Sequence, residues 1–280
     1  MPLLQSAAAS STFASTLRSL LGPSLTSYTF VDFCSGAGGP TPSVEQSINL
    51  KLRGNAEWSK NKSTSNDIEL VRLNGVGKEP IDASVDFVLT DIHPHLEAWE
   101  KAAKRSDHLR FVREGVDAGN APLDLLARVE GLSREQQQKK VFRLFSLAFH
   151  HFDDPAATQI LRNTLQTSSG FGIFELQERT FEGLLTAFVI GPALWLGSWY
   201  WFWGDWTHLF WTYVIPVVPM VVMLDGWVSA VRTRSGEEIL ALMKKGGMEE
   251  EMQGWRFEDG HRLHTWPTGV MRYFVGIKES

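Results

Sequence analysis

The stretch Thr29-Phe-Val-Asp-Phe-Cys-Ser-Gly-Ala-Gly-Gly-Pro40 constrains the fold more than any other part of the chain. A short apolar run carries an acid at Asp32 and breaks into a glycine turn, and Pro42 sits where a helix begins. Gly36, Gly38 and Gly39 let the main chain approach a ligand closely, because no Cβ intervenes. Backbone N–H groups at the start of the following helix suit a carboxylate or a phosphate. Strand, glycine turn and helix together open a nucleotide-type cofactor site.

The pattern repeats downstream. Apolar runs at Tyr28–Phe33, Ser84–Thr90, Leu109–Glu114, Val141–Ala148 and Gly170–Leu176 predict strands. Helices are expected at Pro42–Arg53, Leu96–Arg105, Leu123–Val129 and Pro155–Thr167, the last after Asp153 and Asp154 at its N-cap region. The polar stretch Gly54–Asp82 has no clear assignment. Strands separated by helices imply parallel pairing with right-handed crossovers, hence a doubly wound α/β fold. Ligands of such sheets bind beyond the carboxyl ends of the strands. The amino-terminal 27 residues read as a helix leading into the first strand, with a transit peptide as the alternative.

The alternation stops at Phe181. Within Gly183–Ala230 the only ionised side chains are Asp205 and Asp225, and seven of the chain's 11 tryptophans lie between Trp195 and Trp227. Gly183–Trp203 is about long enough to cross a bilayer. Trp211–Leu224 is shorter and carries Pro216 and Pro219, which favours a re-entrant or interfacial segment or a buried helix. Aromatic side chains concentrate at membrane–water boundaries. Phe181–Val231 is therefore expected to contact a membrane, as a hairpin or as two spans, with a lid or dimer surface as the alternative. Ser235–Lys245 then reads as an amphipathic helix, and Gly254–His261 and Val270–Lys278 as two closing strands. The domain plan is a lead-in over 1–27, a cofactor-binding core over 28–180, an insertion over 181–231, and the rest of the core over 232–280.

Composition narrows the class. A net charge of −5 argues against a nucleic-acid partner, which favours basic surfaces. The single cysteine, Cys34, forms no internal disulfide, so a reducing compartment or the cytosolic face of a membrane is expected.

The order Val31-Asp-Phe-Cys-Ser-Gly-Ala-Gly-Gly39, Leu89-Thr-Asp-Ile92, Glu114-Gly-Val-Asp-Ala118 and Phe149-His-His-Phe-Asp-Asp154 resembles the class I S-adenosylmethionine-dependent methyltransferases. The similarity runs nearly the whole chain and extends to a subgroup with a hydrophobic insert after strand five. It implies a seven-stranded Rossmann-like sheet, mostly parallel, with an antiparallel final strand. It also implies S-adenosylmethionine as cofactor. The loop from Gly36 to Gly39 is expected beneath the amino-acid part and ribose of that cofactor. Asp32 is expected to orient the loop or to bond near the methionine moiety. Asp91 would accept the ribose hydroxyls, or cap a helix. Asp117 would meet the adenine amino group with Val116 and Ala118 flanking the ring, or serve as a turn carboxylate. The distance from Gly39 to Asp91 exceeds the ~20 residues of ordinary dinucleotide sites, so a nicotinamide cofactor is the weaker reading.

His150 and His151 follow the fourth strand, beside the expected position of the transferred methyl. Either one suits a general base near neutral pH. The alternatives are shaping the pocket, or capping the strand while bonding Asp153 or Asp154. The same four residues raise the question of a metal, but adjacent turn residues diverge and no third ligand cluster is evident. Glu175, Glu178 and Arg179 are further candidates for the acceptor pocket, with charges at a membrane boundary as the alternative. The expected activity is methyl transfer to a small hydrophobic or lipid-like acceptor at a membrane. A catalytically silent membrane scaffold of the same fold is the rival from another class.

Overall fold

The computed structural model describes residues 8–66, 84–265 and 269–279. Helix α1 (Ala8–Leu21) and a 3-10 turn lead into β1 (Tyr28–Asp32), then α2 (Thr41–Asn66), β2 (Phe87–Leu89) and α3 (Leu96–Ala103). Strand β3 (Leu109–Phe111), the single-turn α4 (Arg134–Gln137), β4 (Lys140–Ser146), α5 (Asp154–Thr167) and β5 (Gly170–Glu175) follow. An apolar helical segment comes next: α6 (Phe181–Trp201), α7 (Trp206–Leu209), a π-turn at Phe210–Val214, and α8 (Val217–Arg232). Helix α9 (Gly236–Lys245) and strands β6 (Trp255–Thr265) and β7 (Gly269–Lys278) finish the chain.

The strands form one seven-stranded sheet in the order β3-β2-β1-β4-β5-β7-β6. The pairs among β1 to β5 are parallel, and β7 runs antiparallel to both β5 and β6. This is the expected Rossmann-like α/β architecture. The order reverses between β1 and β4, which opens a crevice at their carboxyl ends.

Alternation along the strands explains the layers. Phe30, Phe142 and Leu144 face a cluster with α1, α2 and α3, whereas Val31, Phe145 and Phe171 face one with α5 and α9. Burial on both faces is why these strands read as continuous apolar runs. Helix α1 belongs to the first cluster: Phe13, Ala14 and Leu17 are buried, and the Phe13 ring stacks on Phe174 at 3.8 Å.

Several boundaries differ from the sequence expectation. Strands β2 and β3 are three residues each, because the polypeptide turns into loops at the crevice as soon as ladder pairing ends. Strand β4 stops at Ser146 because Leu147 takes a left-handed backbone, φ 59°. Leu123–Val129, expected as a helix, forms only a 3-10 turn at Leu125–Arg128, followed by the left-handed Gly131. Helix α2 runs on to Asn66, well past Arg53, which takes up part of the long interval before Asp91. Residues 67–83 of the unassigned stretch lie outside the described residues.

The insertion departs further. Helix α8 extends to Arg232, beyond the expected Leu224. Pro216 forms its N-cap and Pro219 falls in its first turn, where a missing N–H removes no helical bond. The break before α8 bends the second leg by 72°. Helix α6, at 21 residues with mean hydropathy 1.4, is long and apolar enough to cross a bilayer.

Truncating Phe13 to Ala is expected to destabilise the protein by ~3–5 kcal/mol, the usual range for a buried ring. Urea unfolding followed by circular dichroism measures it. A loss below ~1 kcal/mol would detach α1 from the core.

Candidate functional site

At the crevice the tip of β1 is tied to the tip of β2. The Ser35 N–H and hydroxyl both donate to the Thr90 carbonyl, at 3.1 and 3.0 Å. The Gly36 N–H donates to Asp91 Oδ2 at 2.9 Å, and Trp99 Nε1 donates to the Gly36 carbonyl at 2.8 Å. Gly36 is therefore held on both sides of its peptide unit. The loop it opens needs left-handed backbone: Gly38 has φ 111°, where a side chain is strained.

Asp32 lies under this loop with no exposed surface. Its Oδ2 accepts from the Thr41 hydroxyl at 2.6 Å, at the first residue of α2, and its Oδ1 has no partner among the described residues. The Thr41 contact ties the end of β1 to the start of α2. Burial pushes the carboxyl up to about 7, against polar contacts with Thr41 and Ser146 that pull it down.

Asp91 is partly exposed. Besides Gly36 it accepts the His93 N–H on Oδ1 at 2.9 Å, while α3 begins after His95, so Asp91 does not cap that helix. A carboxylate has about four acceptor sites, and the two used here leave capacity for a ligand's hydroxyls. The Asp91 carbonyl receives the Val116 N–H at 2.9 Å, which draws the loop after β3 against the β2 tip. In that loop Val116 and Ala118 are buried on either side of the exposed Asp117. Asp117 also caps a short 3-10 turn, with Oδ1 accepting the Gly119 N–H at 2.8 Å. Burial first, then the charges of Asp91, Asp32 and Asp117, push the Cys34 thiol up to about 12. The thiol stays protonated at ordinary pH and packs as an apolar group.

The two non-glycine residues with left-handed backbone among the described residues are Cys34, φ 61°, and Leu147, φ 59°. They occupy the carboxyl ends of β1 and β4, the strands that flank the switch point. Strain of ~1–3 kcal/mol per residue collects where function over-determines geometry.

Beyond Leu147 the chain makes a 3-10 turn at Phe149–His151. His150 is buried, and its Nδ1 meets Glu175 Oε2 at 2.8 Å while its N–H donates to Glu175 Oε1 at 3.1 Å. Glu175 ends β5, so two adjacent strand tips supply the pair. A carboxylate on Nδ1 fixes the tautomer with the proton there and leaves Nε2 as the acceptor. His151 is exposed beside it, ring centroids 4.2 Å apart, and burial and then the neighbouring His150 hold its pKa below the ordinary histidine value. The alternative pairing with Asp153 or Asp154 is absent: Asp153 caps α5 through the Ala156 N–H, and Asp154 pairs with Arg234. Among the described residues no group of three or more His, Cys, Asp or Glu is arranged to hold a metal.

Three contributors went unnoticed in the sequence. Arg143 on β4 is buried over the Phe33 ring at 4.4 Å and donates to the Ala118 carbonyl at 3.2 Å, steadying the loop that carries Asp117. Burial lowers its pKa to about 9. A lone arginine inside an apolar strand was the available signal. Gly115 passes so close to β2 that an added Cβ would lie 2.6 Å from the Ile92 carbonyl oxygen. Arg232, the last residue of α8, donates from Nε to the His150 carbonyl at 2.7 Å and from Nη2 to the His151 carbonyl at 2.9 Å. No local pattern announces the last two.

No protein-family profile matches the sequence, and no curated protein matches it. Solved structures similar to it include the pyocyanin biosynthetic protein PhzM, at 14% identity and TM-score 0.46, covering 95% of this chain and 55% of that one. Human N-acetylserotonin methyltransferase in complex with SAM is another, at 11% identity and TM-score 0.41, covering 98% of this chain and 57% of that one. The CurJ carbon methyltransferase gives 10% identity and TM-score 0.47, covering 97% of this chain and 54% of that one. The chain thus spans little more than half the length of these three.

Two outcomes test the geometry. Gly115→Ala is expected to cost about 1–3 kcal/mol in urea unfolding, because the Cβ meets backbone that cannot rotate away. Asp32 binds its proton more tightly folded than unfolded, so its contribution makes stability fall as pH rises from its ordinary 3.8 toward about 7. That fall is on the order of 4 kcal/mol at ~1.36 kcal/mol per pH unit. Asp32→Asn is expected to flatten it in urea midpoints measured between about pH 4 and 8; an unchanged slope would assign the pH dependence to other groups.

Proposed function

We propose that the protein binds S-adenosylmethionine at the crevice between β1 and β4 and transfers its methyl group to a small hydrophobic or lipid-like acceptor at a membrane. The carrying observation is the glycine loop at that switch point, bonded through Gly36 to Asp91, whose carbonyl in turn holds the Val116 loop, with the two left-handed non-glycine residues beside it. Acids suit a ligand that offers hydroxyl and amino donors and carries positive charge. The buried, unpartnered Asp32 Oδ1 fits a site completed by a cation. S-adenosylmethionine, when bound, supplies a methyl on an electron-poor sulfur.

The residues of the chain have distinct tasks in this reading. The loop of Gly36, Gly38 and Gly39 gives the cofactor's amino-acid end a surface without side chains. Asp91 takes the ribose hydroxyls on its remaining lone pairs, and Asp117 takes the adenine amino group between Val116 and Ala118. His150 Nε2 accepts the acceptor's proton, and Glu175 stabilises the imidazolium that forms, as a carboxylate partner does for a histidine base. His151 forms part of the acceptor wall.

The membrane part of the reading rests on the packing of the insertion. In the α6–α8 hairpin the small residues face inward: Ala187, Gly191, Ser198, Ser229 and Ala230 are buried. The large apolar ones face outward, with Trp203 and Trp206 each 76% exposed. Gly191 and Gly226 let the legs approach, with an added Cβ at Gly226 only 3.1 Å from the Ala187 Cβ. Small residues inside and large ones outside is how helices pair in lipid, where burying Leu or Trp between them gains nothing. Around both legs the surface fits hydrocarbon, and the Arg232 bonds place the foot of the hairpin on the histidine turn. An acceptor dissolved in the bilayer would reach His150 along that route. Attached so, the core faces the cytosol, in keeping with the single free Cys34.

Calorimetry on purified protein is expected to show S-adenosylmethionine binding that weakens by more than ~1 kcal/mol in Asp91→Ala. Absence of binding by folded protein would end the enzymatic reading, and displacement by NAD would favour the oxidoreductase. Radiolabelled methyl transfer into a total lipid extract is expected to fall by about 10²-fold or more in His150→Gln with cofactor affinity kept. Cofactor retention without any labelled product would favour the silent scaffold. A protein that stays soluble and monomeric without detergent would remove the membrane.

A further inference from the structure

At the foot of the hairpin, where α6 begins and α8 ends, the surface opens into a cavity of about 530 Å³. Arg179, Arg232, Arg234 and Lys245 line it. Arg179 lies just before α6, Arg232 ends α8, and Lys245 ends α9, so three elements bring four cations to one hollow. Between Gly183 and Ala230 there is no Lys or Arg at all. The basic charge of this region is therefore collected at one end of the apolar legs.

Three carboxylates share the rim, and each is engaged. Asp153 accepts the Ala156 N–H, Asp154 pairs with Arg234 at 2.8 Å, and Glu238 pairs with Arg179 at 2.9 Å while accepting the Ser235 N–H. Those pairs hold two of the arginines in place. Arg232 and Lys245 have no carboxylate within ion-pair distance among the described residues, and the buried Nη1 of Arg234 has no acceptor. Donors remain and a ligand acceptor is lacking. We infer that this cavity is a phosphate site that takes the headgroup of an anionic phospholipid, docking the hairpin on a negatively charged leaflet.

The commitment to a lipid, and not to a soluble phosphate, comes from position. Residues 179 and 232 flank the apolar legs, so once the legs enter hydrocarbon the cavity lies at headgroup level. Cations at that level gain from an anionic surface, and arginine matches phosphate geometry in particular. The inference rests on the membrane reading above. It also sets what the histidine turn faces, because Arg232 joins the cavity to the His150 and His151 carbonyls.

The test is co-sedimentation of the full chain with vesicles of pure phosphatidylcholine and of phosphatidylcholine with phosphatidylserine. Lys245 makes no structural bond, so Lys245→Gln leaves the fold intact, and Lys244→Gln, one residue away and outside the cavity, controls for general charge. Wild-type protein is expected to prefer anionic vesicles. Lys245→Gln is expected to reduce that preference about fivefold, the loss of one cation at an anionic surface, and Lys244→Gln by less than about twofold. Arg179→Gln is expected to reduce it as well. Equal losses in Lys244→Gln and Lys245→Gln, or equal binding to both vesicles, would overturn the headgroup site while leaving membrane insertion standing. Binding to neither vesicle would overturn insertion and this site together. Inorganic phosphate that saturates the cavity without displacing anionic vesicles would also overturn it, by making the site one for free phosphate.

Discussion

The bond from the Gly36 N–H to Asp91 underlies the architecture of the crevice. Carboxyl ends of neighbouring parallel strands have no ladder left to hold them, and their loops diverge unless something crosses the gap. Here one carboxylate crosses from β2 to β1, and the same residue's carbonyl anchors the loop after β3 through Val116. Trp99 closes the other side of the Gly36 peptide from α3. One acidic residue thus fixes three loops in register. A ligand meeting Asp91 meets a group whose orientation is already determined, so little ordering remains to oppose binding.

Strain and unmet polarity gather at the same place. Asp32 is ionisable, buried and half-satisfied. Cys34 and Leu147 hold left-handed backbone without being glycine. A structural site would relax such features, because each lowers stability and none improves packing. They persist here because the core on both faces of the sheet over-determines β1 and β4. An internal cationic ligand would relieve the charge part of that tension, which connects the energetics of the crevice to its chemistry.

Legibility in the sequence followed the range of the interactions. Local signals carried far: the glycine turn of Gly36 to Gly39, the alternating strands, the cap at Asp153, and the apolar insertion were readable because spacing along the chain expresses them. Contacts between distant segments were not. Gly115 against Ile92, Trp99 on Gly36 and Arg232 on the histidine turn join residues whose roles exist only after folding. His150 shows the boundary between the two. Its place after β4 was visible, but its partner is Glu175, 25 residues away, and not the aspartates beside it. Sequence proximity suggested the wrong carboxylates because a 3-10 turn points the ring across the sheet, toward the next strand tip.

Arg232 joins the insertion to the histidine turn. It ends α8, so its position follows the lower part of the hairpin, and its guanidinium holds two successive carbonyls of the turn that carries His150 and His151. Five planar donors on one guanidinium give little freedom once two are committed. Small residues between α6 and α8 make the hairpin a stiff unit, with Ala187 against Gly226 and Gly191 against Met223. From the other side Glu175, at the end of β5, bonds both the ring and the N–H of His150. His150 is held between a strand that belongs to the sheet and an arginine that belongs to the insertion. Its position is therefore set jointly by contacts from the sheet and from the insertion, two parts of the chain far apart in sequence.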